Sequence, residues 1–221
     1  MKETVLGEPA RAAHAAHPVL PAAPGAERYL ALDLANTNLA LPGGQEVDLL
    51  GTPASAKEWL VTRELAPPDT VLYDVCAGRL RALRDEVRTL LSSRIGALLA
   101  PDASVRAIND ALTSAPSAAL LHWDEVRGPY RAQAHPVDQI VNHAIAILAA
   151  DAADLLTGPD AERLAPCGAT PCSRFLVRTH ASRQWCSVRC GDRVRAARAY
   201  ARRTQTLTQT QTQKPPTQSP S

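Results

Sequence analysis

Aromatic residues are scarce in this sequence. One Phe, three Trp and four Tyr serve 221 residues. A core of stacked rings is thereby excluded, and Leu, Val, Ile and Ala must fill it, which favours helices. Glycine is also scarce, eleven residues against eighteen prolines, and most of the prolines lie outside periodic segments, implying long connections. No apolar run reaches the roughly 18 residues of a membrane span. Residues 1–28, rich in Ala, Pro and His, lack the basic end and apolar stretch of a secretory signal. The cytoplasm is the expected compartment, and disulfides are not expected there. A nucleophile–base pair, a phosphate-binding loop and an open-site metal motif are all missing, which argues against an enzyme.

What is present is an ordinary folded-chain composition, 45% hydrophobic and 21% charged, with charge unevenly placed. Residues 163–203 hold ten arginines and one acid, Asp192, a balance of +9. Residues 1–162 hold thirteen basic and twenty-one acidic residues, a balance of −8. Lys214 completes the total of +2. A separated basic block points to a polyanion partner. The plainer alternative is a solvated helix face.

No internal repeat is evident. The segment Tyr29–Thr37 reads as a strand or as the first turns of a helix, and periodicity does not decide. Thr52-Pro53 is a helix start, with Thr as N-cap and Pro at the first position; that helix holds Trp59 and Leu60 and ends near Pro67-Pro68. A long helix is predicted over 70–99, with a stripe of Leu72, Val75, Cys76, Leu80, Leu83, Val87, Leu90 and Leu91. Asp102 is placed as the cap of a further helix to Ser114. Residues 118–134 read as a short hairpin turning at Arg127-Gly128-Pro129. Pro136 is taken to open a last long helix to Leu156, stopped by Gly158-Pro159.

Five cysteines carry the clearest chemical signal. Cys76 lies on an apolar stripe and reads as a small core residue. The others form Cys167-x4-Cys172-x13-Cys186-x3-Cys190. Two close pairs joined by a short spacer suit one tetrahedral, four-thiolate Zn2+ site, closed and structural. Surrounding arginines favour the thiolates and balance the charge of −2 on such a centre. Two disulfides or unmetallated thiols are the alternatives. His180 is a candidate substitute ligand in a predicted turn at 179–182. That turn is expected to join 174–178 and 183–186 in a hairpin. The order knuckle, hairpin, knuckle, helix resembles a treble-clef zinc finger, too small to fold without metal.

Ser187 is the expected N-cap of a final helix over 188–203. Cys190, Val194, Ala197 and Ala201 fall on one side of it, free to pack on the finger. Arg195, Arg198 and Arg202 fall on another, with Arg189, Arg193 and Arg203 around them. Arginines in such a row suit phosphates or guanine edges.

The stretch Trp185-Cys-Ser-Val-Arg-Cys190-Gly-Asp-Arg193 resembles the signature of the CGNR zinc-finger family. Asp192 stands where the family has Asn, and a carboxylate there repels phosphate. Val177 stands where the family often has Asp. Upstream, Leu30-Ala-Leu-Asp33-Leu-Ala-Asn36-Thr37, the Trp59-Leu60 helix and a leucine-rich helix resemble the companion ABATE domain, a stress-induced transcription regulator. The resemblance covers about Tyr29 to Arg203 and implies a bacterial regulator that binds DNA through the finger.

The expected fold class is mainly α. A disordered arm (1–28) leads to a helical ABATE-like domain (29–160) with a short β-hairpin. A treble-clef-like finger (163–203) and a disordered tail (204–221) follow. The leading expectation is a DNA-binding transcriptional regulator, its helical domain sensing a small-molecule effector or forming a homodimer. The alternative is a protein-interaction adapter that uses the finger without nucleic acid. Asp33, Asn36 and Thr37 are candidate walls of an effector pocket; the favoured reading is that they cap a turn and tie it to a helix end. His143 reads as a structural histidine.

Overall fold

The computed structural model describes residues 21–115, 120–132 and 139–212. Among these the fold is mainly helical, with three small antiparallel two-stranded sheets. The undecided segment after Tyr29 is a short helix, α1 (Leu30–Ala35), with Ala31, Leu32, Leu34 and Ala35 all buried. Apolar neighbours on every side suit a central position, and α1 packs against two longer helices. It ends at Asn36 and leads into a hairpin not anticipated from the sequence, β1 (Asn38–Ala40) and β2 (Glu46–Asp48). Gly43 and Gly44 make its turn with φ of +84° and +76°, a conformation that side chains resist.

Helix α2 (Pro53–Thr62) starts as its sequence dictates. Thr52 Oγ1 accepts from the Ser55 N–H, Ser55 Oγ accepts from the Thr52 N–H, and Pro53 occupies the first position. It stops before the prolines, because Glu64 adopts φ +58° and the Leu65 N–H bonds the Leu60 carbonyl at 2.9 Å, a Schellman closure. Helix α3 (Asp74–Ile95) ends four residues early in the same way. Ala97 takes φ +51°, and the Leu98 N–H reaches the Ser93 carbonyl at 2.9 Å. Its stripe of Ala77, Leu80, Leu83, Val87, Leu90 and Leu91 is buried. Cys76 packs half-buried against that core, whereas Val75 faces solvent. Helix α4 (Asp102–Leu112) is capped by Pro101, and Asp102 lies in its first turn instead.

The predicted hairpin forms as β3 (Leu120–Asp124) and β4 (Gly128–Ala132), but it turns at residues 125–127, and Gly128 and Pro129 lie in β4. Helix α5 (Ile140–Thr157) follows; its expected opener, Pro136, lies outside the described residues. At 18 residues α5 is long and apolar enough to cross a membrane. Here it serves as the central core helix, with Ala144, Leu148, Ala149, Ala152 and Leu155 sealed from solvent and α1, α3 and α4 packed around it. His143 is fully buried on the same helix.

After a short 3-10 turn (Ala161–Arg163), β5 (Leu164–Pro166) pairs with β6 (Phe175–Val177). This replaces the expected pairing of 174–178 with 183–186. Leu164-Ala-Pro, though farther along the chain than 183–186, offers β6 an apolar partner. The proline that disguised it as a non-strand is tolerated at the end of a two-stranded ribbon. Alternation along the ribbon then joins two cores. Leu164, Phe175 and Val177 enter the helical core, while Ala165 and Leu176 enter a smaller one with Cys167, Cys186 and Cys190.

Part of the expected arm is also built in. Ala23 is fully buried in the smaller core, and the Pro24 carbonyl accepts the Val177 N–H at 2.8 Å, covering the edge of β6 that β5 leaves open. The final helix, α6 (Val188–Thr212), runs through residues expected in the tail. Between Arg193 and Thr212 no glycine or proline stops it, and Gln and Leu are adequate helix formers.

Candidate metal centre and basic helix

The first cysteine pair occupies the turn of the β5–β6 ribbon. The Cys167 N–H bonds the Arg174 carbonyl and the Cys172 N–H bonds the Ala169 carbonyl, each at 2.8 Å, so the loop curls both sulfurs inward. The second pair spans the start of α6. Ser187 Oγ accepts from the Cys190 N–H at 3.3 Å, as expected of an N-cap. A bond from the Gly168 N–H to the Gln184 carbonyl, 2.9 Å, ties the two knuckles together.

The four sulfurs lie within 4.8 Å of one another. Cys172 Sγ to Cys186 Sγ is 3.7 Å and Cys186 Sγ to Cys190 Sγ is 3.6 Å. Disulfides need about 2.05 Å, whereas four thiolates at about 2.3 Å from one zinc stand about 3.8 Å apart. Cys167, Cys186 and Cys190 are buried and Cys172 half-buried. The donor set and its spacing fit one structural zinc ion.

Two arginines back this cluster. Arg174 is buried; it points Nη1 at Cys186 Sγ (3.8 Å) and donates from Nη2 to the Pro21 carbonyl (2.9 Å). Arg193 points Nη2 at Cys190 Sγ (3.7 Å) and at the Ala169 carbonyl (2.8 Å). Both supply positive charge where thiolates must persist. In the metal-free cluster, hydrogen bonds from Cys172 and Cys186 hold the Cys167 thiol down at about 2. The Cys167 contact pushes Cys172 up to about 11, and Cys186 is raised as well, first by its bond to Cys167. His180 is exposed and bonded to Ser182 Oγ at 2.8 Å, away from any ligand role.

Helix α6 separates its arginines by task. Arg193, half-buried, is bound into the knuckle as a brace. Arg189, Arg195, Arg198, Arg202 and Arg203 are exposed. Arg195, Arg198 and Arg202 follow Gly191 at i+4, i+7 and i+11, one face of the helix. Packing on the finger ends at Val194; Ala197 and Ala201, expected to pack, are exposed, because α6 projects past the small finger.

Asp33, Asn36 and Thr37 are all engaged internally. Asp33 Oδ2 accepts from Trp59 Nε1 (3.0 Å) and Arg63 Nε (2.7 Å). The Asn36 amide bonds the backbone of Phe175. Thr37 Oγ1 donates to the Leu34 carbonyl (2.7 Å) and accepts from Arg84 Nη1 (3.4 Å). The geometry matches turn-tying rather than pocket-lining, so no effector contact is assigned to them.

Sequence reasoning missed Arg88, which joins the domain to the finger. It donates to the carbonyls of Ala35 (2.5 Å) and Ser173 (3.0 Å) and lies over the Phe175 ring at 4.9 Å. Burial lowers its pKa below the usual arginine value, and the nearby Arg84 charge adds to this. No sequence signal marked it, because its flanks, Val87 and Leu90, read only as core.

Compared with known families, residues 28–159 match the ABATE model, described as "Putative stress-induced transcription regulator". Residues 163–203 match the CGNR zinc finger. Neither match is to an enzyme family. No curated protein matches the chain.

Proposed function

The chain belongs to the ABATE family and carries a CGNR zinc finger, and from that premise we propose that it is a transcription regulator that grips DNA with α6. The observation that carries this reading is the exposed arginine face of that helix. At 25 residues the helix is about 37 Å long, and the major groove admits such a rod. Arginine suits bidentate contact with phosphate and with guanine. The helical domain, acidic in sequence, serves to bind an effector or a second copy. Exposed Leu121, Trp123 and Val126 on the β3–β4 hairpin give a second copy an apolar strip.

The test is a salt-titrated mobility shift on duplex DNA. Affinity is expected to fall with salt at a log–log slope of about −0.9 per phosphate neutralised. An Arg198→Ala, Arg202→Ala double variant should flatten that slope. A slope of zero, or no shift at low salt, removes the DNA reading. Sedimentation of wild type against Trp123→Ala tests the dimer separately; a wild type that stays monomeric removes that part alone.

A further inference from the structure

One exposed arginine of α6 is held between a carboxylate and an aromatic ring. Arg195 donates from Nη2 to Asp192 Oδ1 at 2.6 Å, and its guanidinium lies 5.5 Å from the centroid of the Trp185 ring. Gly191 makes this arrangement possible. A Cβ there would stand 2.9 Å from Trp185 Cε3 and 3.0 Å from Arg195 Nη1, so only a bare backbone lets the indole lie on the helix beneath the arginine. Yet the Arg195 side chain is still 56% exposed. By contrast, Arg189, Arg198 and Arg203 make no side-chain hydrogen bond or ion pair among the described residues.

We infer that Arg195, steadied by Asp192 and Trp185, reads a guanine in the major groove, while Arg189, Arg198 and Arg203 hold phosphates. This rests on the DNA reading above and assigns its specificity. A mobile arginine suits a phosphate, which is reached from many angles and carries no sequence information. A bidentate bond to guanine O6 and N7 needs a fixed plane, and a guanidinium already held on a ring and a carboxylate loses little freedom on meeting it. The Asp192 carboxylate also repels phosphate from this position. On a base edge it finds a partner instead, since the cytosine paired with that guanine presents an amino donor.

The experiment uses the full chain and duplexes recovered by the wild type from a randomised library. Each guanine is replaced in turn by 7-deazaguanine, which lacks the N7 acceptor. The wild type is expected to lose about tenfold in affinity at one such replacement. Arg195→Ala should show that loss on the unmodified duplex and be indifferent to the replacement. Arg195→Lys should restore charge but only part of the sensitivity, because an ammonium lacks the fixed planar fork. Asp192→Ala should bind all duplexes at least as tightly but discriminate less. Arg198→Ala should keep the sensitivity and lower the salt slope by about 0.9. If Arg195→Ala weakens modified and unmodified duplexes alike and lowers the slope, Arg195 is a phosphate contact and the inference is overturned. If the wild type shifts no duplex, the DNA reading itself fails, and this inference with it.

Discussion

The Asn36 side chain and the Phe175 backbone exchange two hydrogen bonds. Nδ2 donates to the Phe175 carbonyl at 3.0 Å, and Oδ1 accepts the Phe175 N–H at 2.8 Å. Both residues are buried, so the amide acts as a one-residue neighbouring strand, closing the outer edge of β6. Asn36→Ala would leave two buried backbone groups unpaired, each costing about 1–3 kcal/mol. The urea midpoint is expected to fall accordingly. Asn36→Asp should recover little, because it can accept the N–H but sets a carboxylate oxygen against the carbonyl. A midpoint within error of wild type for Asn36→Ala would show that water substitutes for the amide.

The same edge explains why Gly25 cannot change. It holds φ +94°, and a Cβ on it would stand 2.8 Å from both Cβ and Cγ2 of Val177. Val177 is buried in the helical core and cannot retreat without opening it. Gly25→Ala therefore combines left-handed strain with overpacking, and a loss of about 1–3 kcal/mol is expected. For a chain of this size each kcal/mol moves the Tm by about 2–4 °C. A melting curve that does not shift would mean that residues 21–28 detach from the ribbon at little cost.

These two contacts show where sequence reasoning succeeds and where it ends. Helices α2, α3 and α5 were legible from their apolar period, and α2 also from its cap, Thr52-Pro53. The four cysteines were legible because metal ligation constrains spacing within a few residues. Asn36 was not, because its partner lies 139 residues away and nothing local distinguishes an asparagine that caps a turn from one that closes a distant strand. The β5–β6 pairing was hidden for a related reason. Arg174–Arg178 has two neighbours of suitable length, and only the shared burial of Leu164, Phe175 and Val177 with the helices selects one. The bond from Arg193 to the Ala169 carbonyl was hidden too, because helical angle alone does not reveal that the loop curls back to meet it.

Asp160 gives a pH dependence with a definite sign. It is buried, accepts from Tyr29 Oη at 3.1 Å, and is paired with Arg28 and, at 2.9 Å, with Arg163. Burial opposes its charge, but the Tyr29 hydrogen bond and the two arginine charges outweigh that and hold the carboxyl below its usual range. A native value below the unfolded one gives stability that is present above about pH 3.9 and is lost as pH falls through the native value. Asp160→Asn should therefore be less stable than wild type at neutral pH, and the gap should narrow in acid. Urea midpoints measured from pH 7 downward check this. A gap that stays constant with pH would assign the loss to geometry and not to charge.

Metal removal should divide the molecule along the ribbon. The smaller core consists of Ala23, Ala165, Ala169, Leu176 and three cysteines. Leu176 is its one large aliphatic side chain, and burying it contributes only about 1.5–3 kcal/mol. Structural zinc in a finger contributes on the order of 10 kcal/mol, so the finger's order rests on the ion. The helical core holds Leu32, Leu60, Leu80, Val87, Leu148 and Leu155 and has no such dependence. Elemental analysis should give one zinc per chain. After chelation, hydrogen exchange should speed up at the Gly168, Cys172, Cys186 and Cys190 amides and stay slow at Leu83, Val87 and Leu148. The Phe175 and Val177 amides should fall between, since Asn36 and Pro24 hold them from the helical side whether or not the sulfurs are bound. Equal loss of protection in both cores would mean that the ribbon transmits unfolding across its two faces, and equal retention would mean that zinc is not what orders the finger.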